Sequence, residues 1–229
     1  MIDIREKERK LTEFFGQYIT EHKKQLMENV LSERTRHVTI VLEDIYQAQN
    51  ASAVVRTCEC MGLQDIHIIE DESQYSVNTK VVKGSDKWVN LIRYREKGIN
   101  NAGKCFQSLR NAGYKIYATD PSPDGVSIED IPLDEKIALV MGNELRGTSN
   151  HAIEQADAKV NIPMYGFTES LNISVSAAIC LNTLIPRLRK SDIEWRLAEE
   201  EKEDIRLKWY RGCVRKPDLL EREFLRMIK

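Results

Sequence analysis

Four short apolar runs constrain the fold more than any other feature of the chain: VTIVL at 38–42, IHII at 66–69, KIYAT at 115–119 and IALVM at 137–141. Helix-like segments lie between them. Strand-length runs alternating with helical texture predict an α/β domain with a mostly parallel sheet and helices on both faces.

Outside that rhythm the texture changes at both ends. Residues 5–31 place Leu11, Phe14, Phe15 and Tyr18, then Leu26, Val30 and Leu31, at helical spacing among charges, which predicts an amphipathic N-terminal arm. After Pro186 the chain is strongly charged but carries Ile, Leu and Trp at intervals, as amphipathic helices would. With 229 residues, 41% of them hydrophobic, the chain suits one core with extensions. The expected division is a helical extension at 1–36, a core domain at 37–190 and a second helical extension at 191–229. Within the core, Asn50 and Gly62 read as the N- and C-caps of a short helix after the first strand. DPSPDGVSIEDIPLD at 120–134 reads as an exposed connection between two halves of the domain.

Several function classes are disfavoured. No stretch approaches the ~20 apolar residues that cross a bilayer, and the opening MIDIREKERK is charged where a signal peptide is apolar; the expectation is a cytoplasmic protein with no membrane partner. Five scattered cysteines and four histidines without ligand spacing suggest neither a disulfide framework nor a metal. A net charge of −2 gives no global footprint for nucleic acid, so any RNA-binding surface must come from local clustering.

Three segments combine small residues, amides and isolated charges. In NASAVVR at 50–56, Asn50 opens a helix and Arg56 lies further along it, near enough for both to face one site; an Arg there suits a phosphate or a developing oxyanion. A plain N-cap and a solvated Arg fit the same residues. In MGNELRGTS at 141–149 a Gly-rich turn follows the strand IALVM, where open α/β sheets bind ligands. It has neither dinucleotide-fingerprint nor P-loop spacing, and an ordinary strand-to-helix turn fits equally. NIPMYGFTESLNISVSAAICL at 161–181 holds a short strand, a turn with Pro163 and Gly166, and a helix start supplied with Ser170, Asn172 and Ser174.

Taken together, N-x-x-A-x-x-R at 50–56, M-G-N-E at 141–144 and I-P-M…S-L-N-I-S-V-S-A-A at 162–178 resemble, in order and spacing, the three motifs of the SpoU family of RNA 2′-O-methyltransferases. GSDKW at 84–88 and YAT at 117–119 extend the resemblance to the TrmH-like tRNA guanosine branch, over roughly residues 35–190. The resemblance implies a C-terminal deep trefoil knot, S-adenosylmethionine as methyl donor without a metal, and a homodimer completing each active site. It places Thr119, Met141, Gly142, Asn143, Ile162, Met164, Leu171, Asn172 and Ser174 at the cofactor. Arg56 becomes the principal catalytic residue, with Asn50, Glu144, Ser170 and Asn172 shaping the site. The implied substrate is guanosine 18 of the tRNA D-loop, with ribosomal RNA or another tRNA position as the alternative.

A guanidinium stays protonated in proteins, with a pKa above about 12, so Arg56 as an electrostatic stabiliser is as sound as Arg56 as a base. Local basic clustering is found in the tail, where Arg206, Lys208, Arg211, Arg215 and Lys216 accompany Trp209 and Tyr210. This pattern suits RNA phosphates and stacked bases, and suits equally a solvated helix face with Trp209 packed inside.

Overall fold

A computed structural model describes residues 3–122 and 124–228. Met1, Ile2, Lys229 and Pro123 of the 120–134 connection lie outside them. The chain forms two compact units: residues 35–195, and the segments before and after them together.

Among its described residues the larger unit holds seven strands: β1 (Val38–Glu43), β2 (Asp65–Ile69), β3 (Asn90–Tyr94), β4 (Tyr114–Thr119), β5 (Val126–Ser127), β6 (Lys136–Met141) and β7 (Ala158–Asn161). Every pairing is parallel, in the order β3-β2-β1-β6-β4-β7-β5. The four apolar runs are β1, β2, β4 and β6. β1 is buried along its whole length, as a central parallel strand with both faces covered must be. From β1 the sheet grows one way through β2 and β3. It grows the other way through the second half of the chain, with β6 inserted between β1 and β4. The carboxyl ends of β1, β6 and β4 therefore lie side by side where the order reverses, the position at which open α/β sheets bind ligands.

Alternation along the strands sorts two cores. Ile40 and Leu42 of β1 and Leu139 and Met141 of β6 pack in a cluster with Val54 and Val55 of α3 (Ala48–Cys60) and Ala177, Leu181 and Leu184 of α7 (Ile173–Lys190). Val41, Ala138 and Val140 face the other way, toward Phe106 and Leu109 of α5 (Asn101–Asn111) and Ala152 of α6 (Asn150–Gln155). Helices thus cover both faces. Beside α3 lie the short α4 (Thr79–Val82) and a 3-10 turn at Ser85–Lys87.

The helix start expected at Asn50 lies earlier, with Gln47 as N-cap and Asn50 inside the first turn. The stop is as expected: Gly62 has φ 86°, and the Leu63 and Gly62 amides donate to the Cys58 and Glu59 carbonyls at 3.0 and 3.1 Å. These two bonds close a Schellman motif that a left-handed glycine permits. The 120–134 connection is less exposed than its composition suggests, since Ile128 and Ile131 are buried and 126–127 adds the edge strand β5.

The second unit joins α1 (Ile4–Gly16) and α2 (Glu21–Ser32) to α8 (Glu199–Cys213) and α9 (Pro217–Met227). Phe14 and Phe15 of α1, Leu31 of α2, Trp209 of α8 and Phe224 of α9 are all buried. The Arg34 guanidinium lies 5.5 Å over the Trp209 ring, a cation–π contact sheltered from water. Among the described residues no helix is long and apolar enough to cross a membrane.

Candidate active site

A cavity of about 660 Å³ opens at the carboxyl ends of β4, β6 and β7. Its walls come from the start of α3, the loop after β6 and the segment between β7 and α7. Three stretches far apart in sequence are brought together there, each by a different strand-to-helix passage.

The loop after β6 is a tight reversal. Asn143 and Gly147 exchange backbone hydrogen bonds at 2.9 and 2.8 Å, and Gly147 turns the chain at φ 71°. Gly142 lies directly against the returning strand: a Cβ there would stand 2.1 Å from the Thr148 nitrogen. Only hydrogen fits at that point. The Asn143 side chain holds the loop from both sides, donating to the Asp44 carbonyl at 2.6 Å and accepting from the Leu145 amide at 2.9 Å. Thr148 donates to the Thr119 carbonyl at 2.7 Å, and Thr119 to that of Val140 at 2.8 Å.

Glu144 points from this loop at the beginning of α3. Its carboxylate accepts from the Tyr46 amide at 2.9 Å, the Gln47 amide at 3.2 Å and the Asn50 side-chain nitrogen at 2.8 Å. It supplies the cap that Gln47 lacks, and a negative charge is favoured at that end of a helix. Burial pushes the Glu144 pKa up, but the hydrogen bonds from Asn50 and the amides outweigh it and hold the group below its ordinary value.

Asn50 in turn accepts at its Oδ1 from the Asn172 side-chain nitrogen at 3.3 Å. Asn172 is the N-cap of α7, its Oδ1 accepting from the Ser174 amide at 2.9 Å and the Ser174 hydroxyl at 2.7 Å. Both amide orientations follow from the ends of this chain of bonds. A carboxylate only accepts, so Asn50 turns its NH2 toward Glu144; a helix N-terminus only donates, so Asn172 turns its oxygen toward Ser174. One hydrogen-bonded line thus crosses all three segments.

Of the residues read from sequence as cofactor or catalytic positions, Asn50, Thr119, Met141, Gly142, Asn143, Glu144, Ile162, Met164, Ser170, Leu171 and Asn172 line the cavity. Ser174 does not; it acts through Asn172. Arg56 does not either. Six residues along a helix advance about 9 Å and rotate roughly 240° past a full turn, so Arg56 cannot face the site that Asn50 faces. It is exposed, with no side-chain partner among the described residues. Sharing a helix was the wrong ground for expecting both at one site of one chain.

In the tail cluster the two helical arginines are paired with carboxylates. Arg206 is clamped by both oxygens of Glu28 at 2.6 and 2.8 Å, and Arg211 by Asp218 and Glu221. Trp209 and Tyr210 are buried and present no stacking face. Lys208, Arg215 and Lys216 are exposed. The carboxylates that neutralise the arginines come from other helices or turns, which a linear reading does not bring together.

Sequence reading missed Glu43, Asp44, Asp120 and Glu169. Glu43, buried at the end of β1, accepts from the Ser149 amide at 2.9 Å and hydroxyl at 2.7 Å, fixing the start of α6. Asp44, at φ 48°, accepts three consecutive amides, of Asp71, Glu72 and Ser73, at 2.8 to 3.0 Å. Asp120 and Glu169 face the cavity. The one available signal was the acidic pair ending the apolar run VTIVL.

Comparison with known proteins agrees with this geometry. The profile of the SpoU rRNA Methylase family matches residues 37–182. The chain is 44% identical to a tRNA (guanosine(18)-2′-O)-methyltransferase of Borreliella burgdorferi, over 90% of this chain and 92% of the relative. It is 32% identical to the protein of that name from Aquifex aeolicus, over 83% and 90%. The crystal structure of an A. aeolicus TrmH/SpoU tRNA modifying enzyme superposes with TM-score 0.75 at 31% identity, covering 86% of this chain and 98% of that one. With one cavity built from the three motif segments, and relatives matched over nearly their whole length, the chain belongs to the SpoU methylase family.

Proposed function

We propose that this protein is a cytoplasmic S-adenosylmethionine-dependent tRNA 2′-O-methyltransferase acting on guanosine 18 of the D-loop. The observation that carries this reading is the line from Glu144 through Asn50 to Asn172 around a cavity at the strand ends. The tRNA substrate rests on the relatives' identity over most of both chains. Residues 37–190 are the catalytic domain in this reading, with 1–36 and 191–229 as helical extensions.

The cavity fits the methyl donor in size and chemistry. It offers the aliphatic side chains of Ile162, Met164 and Leu171 for an adenine ring, and backbone groups from the loops at 141–143 and 162–172. When bound, the sulfonium supplies an electrophilic methyl carbon. The protein's share is alignment of the ribose oxygen and removal of its proton. In this reading Asn50, Ser170 and Asn172 position the nucleotide, while Glu144, which accepts from three donors, holds Asn50 rather than moving a proton. Arg56, a permanent cation, stabilises the forming alkoxide and an adjacent phosphate as the proton leaves elsewhere.

Since Arg56 turns away from its own cavity, the reading includes a homodimer in which the Arg56 of a second copy enters the site. Exposed Leu145, Met164, Tyr165 and Phe167 near the cavity mouth are the kind of apolar surface that a second copy covers. The C-terminal trefoil knot belongs to the same proposal, supported by a chain that crosses β4 in passing from β6 to β7. In the tail, RNA contact narrows to the exposed Arg215 and Lys216.

The test is methyl transfer from labelled S-adenosylmethionine to an unmodified tRNA transcript and to one carrying 2′-deoxyguanosine at position 18. Label in the first and none in the second is the expected result. Equal labelling moves the target elsewhere, and labelling of ribosomal RNA alone replaces the substrate.

A further inference from the structure

GSDKW at 84–88 has no part in the cavity, yet it packs on the helix that carries Arg56. The Asn78 amide donates to the Ser52 hydroxyl at 2.9 Å, so the segment opening α4 docks on the Ser52 face of α3. Arg56 is one turn further on that same face, since positions four apart are neighbours. Beneath, Val82, Ser85 and Val89 are buried; outward stand Lys80, Lys83 and Lys87, all exposed. None of the three lysines has a side-chain partner among the described residues. Glu59 and Asp86 are the carboxylates nearest in sequence to this strip.

Two details argue that the strip is more than solvated surface. Lys80, Lys83 and Lys87 gather three cations without a side-chain partner among the described residues within eight positions, and Asp86 is the one carboxylate among those eight. Lys83 also occupies the left-handed region at φ 48°, followed by Gly84 at φ 83°, a conformation that costs a side chain of its type about 1 kcal/mol. The turn ends α4, and Lys87, also exposed, follows in the next short helical turn.

We infer that Lys80, Lys83 and Lys87 form, with Arg56, a phosphate-binding strip that guides the RNA backbone to the reacting ribose. The occupant is a polyanionic backbone, chosen by charge complementarity and by continuity with Arg56. The inference rests on the RNA methyltransferase reading.

The experiment compares wild-type protein with the triple variant Lys80→Gln, Lys83→Asn, Lys87→Gln, Asn being tolerated in the left-handed region. Affinity for an unmodified tRNA transcript is measured against salt, with S-adenosylhomocysteine affinity and thermal midpoint as controls. Each lost phosphate contact lowers the salt slope by roughly 0.7–0.9. Raising salt from 0.05 to 0.2 M should therefore weaken wild-type binding roughly 20- to 40-fold more than variant binding. Equal slopes, with wild-type protein active on the transcript, overturn the strip and leave the methyltransferase reading standing. A wild-type protein that binds S-adenosylhomocysteine but methylates no RNA overturns the reading and the strip together.

Discussion

A dimer carrying Arg56→Ala in one copy and Asn172→Ala in the other should recover activity that neither single variant shows. Arg56 sits about 9 Å along α3 from Asn50 and about 240° around it, while Asn172 bonds to Asn50 within one chain. Under the proposed homodimer, a complete site takes the pocket of one copy and the arginine of the other. Removing one oxyanion-stabilising donor costs on the order of 100-fold or more, so the Arg56→Ala homodimer should be nearly inactive, and the Asn172→Ala homodimer, which loses the cap of α7 and the bond to Asn50, should be so too. In the heterodimer one site receives both defects and the other receives neither, so about half of the wild-type activity per dimer should return. Co-expression with two affinity tags, two-step purification and a labelled methyl-transfer assay on tRNA read this directly. A purified heterodimer no more active than the single variants would refute an arginine acting across copies.

Gly142→Ala should abolish cofactor binding, because the added Cβ meets backbone at 2.1 Å and the loop must open; calorimetry showing S-adenosylhomocysteine affinity within a few-fold of wild type would refute this. His67 is buried and stacked on Tyr94, and desolvation pushes its pKa down to about 4. The unfolded chain then binds the proton more readily, so stability is lost as pH falls from about 6.5 toward 4, by about 3 kcal/mol in total. Thermal midpoints of wild type and His67→Gln across that window should diverge in slope, and parallel curves would refute it. Trp209→Ala should cost about 3–5 kcal/mol and expose α1 and α2 to trypsin; an unchanged cleavage pattern would show that Trp209 does not hold the helical unit.

Much of the site was legible because strand ends, glycines and caps are local signals. VTIVL, IHII, KIYAT and IALVM are strands, Gly62 stops its helix, and the Gly142 turn follows its strand. β3 escaped because NLIRY is half polar and lies at the sheet edge, and β5 because two residues carry no periodicity. The insertion of β6 between β1 and β4 could not be read, since central strands apolar on both faces fit any interior position. Arg56 could have been placed away from the cavity from helical rotation alone. The pairing of Arg206 with Glu28, 178 positions away, is invisible in the linear chain.

The helical unit is assembled from the two ends of the chain, and this orders events during synthesis. α1 and α2 emerge first, but Arg34 meets Trp209 only after 175 further residues are made, and Phe14 meets Phe224 at 5.7 Å only after 210. At 5–20 residues per second that interval is roughly 10–40 s. Throughout it the apolar face of α1 has no native cover, so this segment is a natural client for a ribosome-associated chaperone. A nascent chain stalled anywhere before α8 would carry the same uncovered face, marking it as unfinished.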